Sequence, residues 1–207
     1  MKYIIMCGCA PDNEHPKHFI VIDGEELIGR TIRLLKSEGV TDLALSTNNL
    51  RFEKYGLPLL MHKNDFYTGS GNWVDGFFPT DEPACYIMGD VFFSEAAIHT
   101  IVETKTDDVM FFASAPPFGK GYPKQYAEPF AFKVQNQEHF RKSINEVKRL
   151  NECRKWFREP ISWELWQVIM NTQRNVIVYD NYTVINDYTC DIDHDDEIEQ
   201  WNGGTKK

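Results

Sequence analysis

The chain has 207 residues, of which 42% are hydrophobic and 26% are charged. This balance excludes an intrinsically disordered chain, and the length favours one domain with a sizeable core over two independent domains. The 31 acidic and 22 basic side chains leave a formal charge of -9, which disfavours binding to nucleic acid backbones.

The first 46 residues have the pattern strand, loop, helix, strand. The apolar run Tyr3–Met6 predicts a strand that is buried on both faces. Apolar residues recur at helical spacing from Leu27 to Leu35, and Gly39 is typical of a helix end. A second apolar run follows at Leu43–Ser46. Together these elements predict a βαβ unit with parallel strands.

Later apolar runs predict the other strands, and a helix is expected to begin near Ser94. The predicted strands are Leu57–Met61, Cys85–Met88, Val109–Ala113, Phe130–Val134 and Val176–Tyr179. Helical periodicity at Gln137–Leu150 and Ser162–Met170 predicts a helical insertion at about residues 137–171, within a single domain spanning residues 1–207. We therefore expect an α/β protein with a Rossmann-like, mostly parallel twisted sheet, flanked by helices in three α/β/α layers.

Cellular location is predicted from the same survey. No apolar run approaches the roughly 18 residues needed to cross a membrane, and Tyr3–Met6 is too short for the core of a signal peptide. The five cysteines are odd in number, and three stand in apolar runs, which favours reduced thiols. We expect a cytoplasmic protein with neither a membrane nor a nucleic acid partner.

In an open parallel sheet, ligands bind beyond the carboxyl ends of the strands. The residues that follow two of the predicted strands are Cys7, Gly8 and Cys9 in one case, and Gly89 and Asp90 in the other. Gly8 would let backbone N–H groups approach a phosphate, and Lys17 in the same loop would place a positive charge on it. Asp90 would supply an oxygen ligand to a hard cation such as Mg²⁺.

The acidic segment near the end of the sequence allows two interpretations. In an extended segment Asp191 and Asp193 point to the same side, where they could join a metal site. Alternatively, the acids of this segment only cap a following helix. His62, His99 and His139 fall within predicted strands or helices and are interpreted as ordinary packing or surface residues.

Six segments of the chain resemble, in the same order, the sugar-phosphate nucleotidyltransferases, including their cytidylyltransferase-like members. They are Tyr3–Gly8, Pro16–Gly24, Leu27–Ile32, Gly39–Ser46, Gly89–Val91 and Cys190–Asp196. The resemblance implies an enzyme that transfers a nucleotidyl group from a nucleoside triphosphate to a small phosphorylated acceptor, such as a sugar phosphate, and releases pyrophosphate.

The same resemblance implies roles for individual residues. Gly8 would contact the nucleotide, Lys17 would stabilise charge on the transferred α-phosphoryl group, and Asp90 would hold Mg²⁺ or Mn²⁺ with Asp191 or Asp193. The remaining candidates are Cys7, Cys9 and Gly89 around the nucleotide, Asn48 and Asn49 at base or sugar edges, Ser70 and Gly71 beside the nucleobase, and Glu128 at the acceptor.

The chain also departs from the family in its first loop. Between the first strand and Lys17 it has a single glycine, Gly8, and no arginine, whereas the acids Asp12 and Glu14 add negative charge. A nucleotide- or sugar-phosphate-binding protein of the same fold without catalysis therefore stays open as an alternative. The sheet architecture leaves a second one, a glycosyltransferase of related fold. The tryptophan-bearing segment Trp156–Met170 either covers the site or forms a homodimer contact.

Overall fold

The computed structural model describes residues 1–9, 13–62, 73–115, 127–153, 161–172 and 177–192. The strands are β1 (Lys2–Cys7), β2 (Val21–Ile22), β3 (Glu25–Glu26), β4 (Leu43–Thr47), β5 (Leu59–Met61), β6 (Ala84–Met88), β7 (Val91–Phe92), β8 (Val109–Ala113), β9 (Pro129–Val134), β10 (Tyr182–Val184) and β11 (Cys190–Asp191). The helices are α1 (Leu27–Ser37), α2 (Glu95–Glu103), α3 (Gln137–Glu152) and α4 (Ser162–Ile169), and short 3-10 turns lie at Lys17–Phe19, Leu50–Tyr55 and Trp73–Gly76.

Within the described residues, seven strands form one mostly parallel sheet in the order β10-β8-β9-β6-β1-β4-β5. β1 is parallel to β4 and β6, β4 is parallel to β5, and β8 is parallel to β10. β9 is antiparallel to both of its neighbours, β6 and β8. The carboxyl ends of the parallel strands therefore share one edge of the sheet, and β9 begins at that edge.

One face of this sheet packs against α3 and α4. Tyr86 of β6 and Phe132 of β9 are paired in the ladder, so they point to the same face. Both rings contact Phe140 of α3, and Phe111 of β8 stacks on Trp166 of α4. This aromatic layer anchors the two helices that were predicted as the insertion.

The opposite face is covered by α1 and α2, which contact each other. Lys133 follows Phe132 in β9 and therefore points to this second face. Its ammonium donates hydrogen bonds to the carbonyls of Ile101, Val102 and Thr104 at 2.9, 2.7 and 2.6 Å. A buried lysine thus caps the carboxyl end of α2, and the predicted three-layer α/β/α architecture is confirmed.

The prediction of a strand at Val176–Tyr179 is wrong, since residues 177–179 are not in a strand. The last strand of the sheet is β10, in which Tyr182 pairs with Phe111 and packs on Trp166. Ile177 and Val178 are partly buried against the core but do not pair with a strand. Their apolar character reflects this burial, which an irregular segment also provides. Among the helices in the described ranges, none has the length and apolar character needed to span a bilayer.

Candidate active site

The carboxyl ends of β1 and β6 approach each other closely, and Gly89 makes this possible. Its N–H donates to the carbonyl oxygen of Met6 at 3.0 Å. A Cβ atom at this position would lie 2.4 Å from the Met6 oxygen, 2.9 Å from Cδ2 of His18 and 3.1 Å from Sγ of Cys7. A residue without a side chain is therefore required here, and it brings Asp90 against the loop that follows β1.

A small second sheet brings the late acidic segment to Asp90. β11 runs antiparallel to β7 and pairs Asp191 with Val91, and the N–H of Ile192 donates to the Asp90 carbonyl at 3.1 Å. Ile192 is completely buried in a small apolar cluster with Ile22, Leu27 and Phe92. This packing holds Asp191 beside Asp90, although the two are far apart in the sequence.

Lys17 completes the cluster from the first loop. It begins the 3-10 turn Lys17–Phe19, which follows Pro16. Its Nζ lies 2.5 Å from Oδ2 of Asp90 and 3.9 Å from Oδ1 of Asp191. The side chains of Lys17, Asp90 and Asp191 keep 36%, 25% and 26% of their surfaces exposed, so part of each is open to solvent. The structure thus brings together a lysine and two aspartates that were predicted from separate segments.

Opposing effects of burial and of nearby charge set the charge of the Asp90 side chain. Burial disfavours the carboxylate and acts to raise the pKa of Asp90, whereas the neighbouring Lys17 ammonium acts to lower it. The ammonium prevails, and the pKa of Asp90 lies below its usual value. Asp90 is therefore an anion at neutral pH and is available to bind a cation.

His18 is a site residue that the sequence analysis missed. Its ring is only 2% exposed, packs edge-on against Phe52 and lies under Gly89. Burial lowers the pKa of His18 to about 4, against the attraction of Asp90. A neutral imidazole therefore packs against Gly89, the residue before Asp90. The short turn at Lys17–Phe19 aims one residue outward and the next inward, and no periodicity in the sequence indicates this.

The loop after β1 is tied to the end of β4 by Asn48. The Asn48 side chain accepts a hydrogen bond from the Cys9 N–H at 3.1 Å and donates one to the Cys9 carbonyl at 2.5 Å. Asn49 is 2% exposed, donates to the Asn13 carbonyl at 3.0 Å and accepts from the Arg51 N–H at 2.9 Å. Both amides, predicted at base or sugar edges, thus have a demonstrated task in shaping the loop.

The two cysteines flanking Gly8 turn their side chains inward. Cys7 is fully buried and Cys9 is 8% exposed, and burial raises the pKa of both thiols. Both thiols therefore remain protonated. Since the side chains point inward, Cys7 and Cys9 would contact a ligand through their backbone atoms. Gly8 is exposed between them.

His62 lies beside Gly8 and was interpreted from the sequence as a packing residue. It follows β5 at the carboxyl edge of the sheet, where its N–H donates to the Thr47 carbonyl at 3.0 Å. A Cβ on Gly8 would lie 3.7 Å from Cε1 of the His62 ring. Burial lowers the pKa of His62, although nearby Asp75 acts to raise it. A largely neutral imidazole thus lies beside Gly8 at the carboxyl edge of the sheet. The sequence does not indicate this proximity, which arises from the order of β1, β4 and β5 in the sheet.

No protein-family model and no curated protein matches this sequence. Solved structures, however, match it over nearly its whole length. A Bacillus anthracis protein provisionally named glucose-1-phosphate thymidylyltransferase aligns with a TM-score of 0.60 and 14% identity, over 99% of this chain and 95% of its own. The inositol-1-phosphate CTP transferase from T. maritima aligns with a TM-score of 0.58 and 16% identity, over 98% and 96%. The 2-C-methyl-D-erythritol 4-phosphate cytidylyltransferase from Thermus thermophilus aligns with a TM-score of 0.59 and 9% identity, over 97% and 96%.

This chain has the nucleotidyltransferase fold. The sequence-based prediction of that fold is confirmed, and the likeness in sequence remains low. Within the nucleotidyltransferase fold, the Lys17, Asp90 and Asp191 cluster occupies the carboxyl edge where ligands of open α/β sheets bind.

The other predicted residues are placed as follows in this nucleotidyltransferase fold. Glu128 precedes β9 at the same edge, and its backbone exchanges hydrogen bonds with Ser114 at 3.0 and 3.2 Å. Ser70, Gly71 and Asp193 lie outside the described residues. His99 pairs with Glu38, and His139 pairs with Asp108, each at 2.9 Å on the helical layers.

The donor atoms of the cluster suit a hard divalent cation. Among the described residues, no group of three or more acidic, histidine or cysteine side chains could hold a metal. A divalent cation in this cluster would bind the two carboxylates of Asp90 and Asp191. Water or phosphate oxygens would fill its other coordination positions, as is usual for Mg²⁺. The Lys17 ammonium already stands between these two carboxylates as a cation, which shows that they fit a positive charge.

Proposed function

We propose that this chain is a nucleotidyltransferase that joins a nucleoside triphosphate to a small phosphorylated acceptor, such as a sugar phosphate. The observation that carries the proposal is the cluster of Lys17, Asp90 and Asp191, with Nζ of Lys17 at 2.5 and 3.9 Å from the two carboxylates. The three solved structures described above are named as a thymidylyltransferase, a CTP transferase and a cytidylyltransferase, and each name includes a phosphorylated compound.

In this reaction an oxygen of the acceptor phosphate attacks the α-phosphorus of the triphosphate. The bond from that phosphorus to the bridging oxygen breaks, and its electron pair leaves with pyrophosphate. The protein needs to align the two phosphates and offset their charge, because little covalent work falls to its side chains. Acceptor and triphosphate are both anions, so a protein with a charge of -9 needs a local source of positive charge.

Lys17 supplies that positive charge as the partner of the α-phosphoryl group. Asp90 and Asp191 would hold Mg²⁺, which when bound supplies further neutralisation of the phosphates. Exposed Gly8, which precedes the Cys9 backbone held by Asn48, would contact the nucleotide. Glu14, an acid of the same loop, pairs with Arg51 at 3.3 Å, and this pairing offsets part of its repulsion of phosphate.

The test is a pyrophosphate-release screen. ATP, CTP, GTP, UTP and dTTP are crossed with a panel of sugar phosphates and other phosphorylated alcohols in the presence of Mg²⁺. For the pair that reacts, Lys17→Ala and Asp90→Asn should each reduce kcat/KM by about 100-fold or more, since each removes a charge from the reacting centre. Lys54→Met is the matched control, because Lys54 pairs with Glu26 at 2.6 Å outside the cluster.

Circular dichroism would confirm that each variant is folded. Full activity in both cluster variants, with a folded chain, would rule out this mechanism.

A second candidate is a binding protein of the same fold without catalysis. It is favoured by the first loop, which has Gly8 as its only glycine and no arginine before Lys17. Calorimetric titration with the same nucleotides and Mg²⁺ separates the two candidates. Tight binding with no pyrophosphate release for any acceptor would support the second candidate over the first.

A further inference from the structure

Lys17 and a divalent cation require the same place in this cluster. The Lys17 ammonium lies 2.5 Å from Oδ2 of Asp90, within direct hydrogen-bonding distance. A Mg²⁺ ion bound to that oxygen would sit about 2.1 Å from it, on the side where Nζ of Lys17 also lies 3.9 Å from Oδ1 of Asp191. An ammonium and a divalent cation this close would repel each other strongly, so both cannot occupy the gap.

The surroundings allow the lysine to leave. Its side chain is 36% exposed, and it stands at the first position of a short 3-10 turn, so Nζ can swing outward without disturbing the backbone. The backbone of the two aspartates is held in place. The Asp90 carbonyl accepts a hydrogen bond from the Ile192 N–H, and Asp191 pairs with Val91 in the small sheet.

We infer that Lys17 is an exchangeable internal cation, which offsets part of the charge of Asp90 and Asp191 in the ligand-free protein and gives up its place when a divalent cation binds. The released ammonium is then free to contact a phosphate of the incoming nucleotide, a last step that rests on the proposed function. Such an exchange reduces the repulsion between two neighbouring carboxylates when no divalent cation is bound. It also weakens metal binding in the absence of nucleotide, because the metal must displace the lysine.

Binding of Mn²⁺ alone, without nucleotide, tests the exchange. The free Mn²⁺ signal in electron paramagnetic resonance gives the dissociation constant for the full chain. Lys17→Met keeps the length of the side chain and removes its charge, so it should bind Mn²⁺ at least about fivefold more tightly than the unaltered protein. Lys17→Gln provides a second variant with a polar end, in case the methionine variant does not fold.

Lys54→Met is the matched control for net charge. Like Lys17→Met, it removes an ammonium that pairs with a carboxylate, in this case Nζ of Lys54 at 2.6 Å from Glu26. It should change Mn²⁺ affinity by less than about twofold. The double variant Lys17→Met with Asp90→Asn should lose the gain, because a ligand of the site is gone.

Three results would overturn the inference: Lys17 variants that bind Mn²⁺ no more tightly than the unaltered protein, an equal gain in Lys54→Met, or a gain that survives Asp90→Asn. Failure of the proposed function gives a different result. A chain that releases no pyrophosphate with any substrate pair could still show the lysine exchange, and an active enzyme could lack it.

Discussion

Substitution of Gly89 by alanine should destabilise the protein strongly, because the new methyl group meets backbone. The Cβ would lie 2.4 Å from the Met6 carbonyl oxygen, whereas Cβ contacts under 3.0 Å essentially never occur. To relieve this clash, the Cβ and the Met6 oxygen must move apart from 2.4 to at least 3.0 Å, an increase of 0.6 Å. A shift of that size would lengthen the hydrogen bond from the Gly89 N–H to Met6, now 3.0 Å, to about 3.6 Å, beyond an effective bond.

The expected magnitude follows from these contacts. Overpacking costs roughly 1–3 kcal/mol, and a weakened hydrogen bond costs roughly 1 kcal/mol more. Gly89 does not have a positive φ, so alanine gains back up to about 1 kcal/mol by restricting the unfolded chain. The net loss should be about 1–4 kcal/mol, which lowers Tm by about 2–16 °C in a domain of this size.

Urea denaturation and a thermal melt measure the effect. Gly29→Ala is the control, because a Cβ at that position in α1 meets only Glu25 and Glu26, at 3.8 and 3.9 Å. The control should be more stable than the unaltered protein by about 0.5–1 kcal/mol, from helix propensity. An alanine at position 89 that leaves the urea midpoint unchanged would show that β1 and β6 do not close as described.

Three further substitutions test other parts of the structure. Lys133→Met removes three hydrogen bonds to the end of α2 and should lower the free energy of unfolding, measured by urea denaturation, by about 2–4 kcal/mol. In the control, Lys105→Met at an exposed position, this free energy should change by less than about 0.5 kcal/mol. Equal effects of the two substitutions would contradict the proposed cap. His18 has a pKa of about 4 when folded and 6.5 when unfolded, so the unfolded chain takes up its proton first and stability falls as the pH drops from 6.5 towards 4. In the His18→Phe variant this fall in stability should be smaller by roughly 3 kcal/mol. If the urea midpoints of the variant and the unaltered protein depend on pH in the same way, His18 is not a buried neutral ring. Asn48→Ala breaks both bonds to Cys9 and should cost about 1–2 kcal/mol, with faster amide hydrogen exchange at Cys9; unchanged exchange would show that Asn48 does not hold the loop.

The hydrogen bonds around β11 explain why the cluster depends on the whole fold. The hydroxyl of Ser94, which caps α2, donates to Asp187 at 2.5 Å, and the Ser94 N–H donates to Thr189 at 3.0 Å. These bonds anchor the segment that leads into β11. The position of Asp191 therefore depends on a helix cap that is remote from it in sequence.

Much of the architecture was predictable from local patterns. Short apolar runs and one helical period identified β1, α1, β4 and β6, because burial on both faces of a parallel sheet demands continuous apolar residues. The rule that ligands bind at the carboxyl ends of strands then selected Lys17 and Asp90. The same patterns misplaced the last strand, because Ile177 and Val178 are apolar and partly buried without pairing.

The sequence by itself determined the elements, their order and the loops that face the carboxyl edge, since these follow from periodicity and chain direction. Only the tertiary structure decided which side chains meet. It placed Lys17 between Asp90 and Asp191, turned His18 inward and brought His62 to Gly8. These contacts arise from pairing and packing between segments distant in the chain, and side-chain direction in a short turn leaves no periodic signal in the sequence.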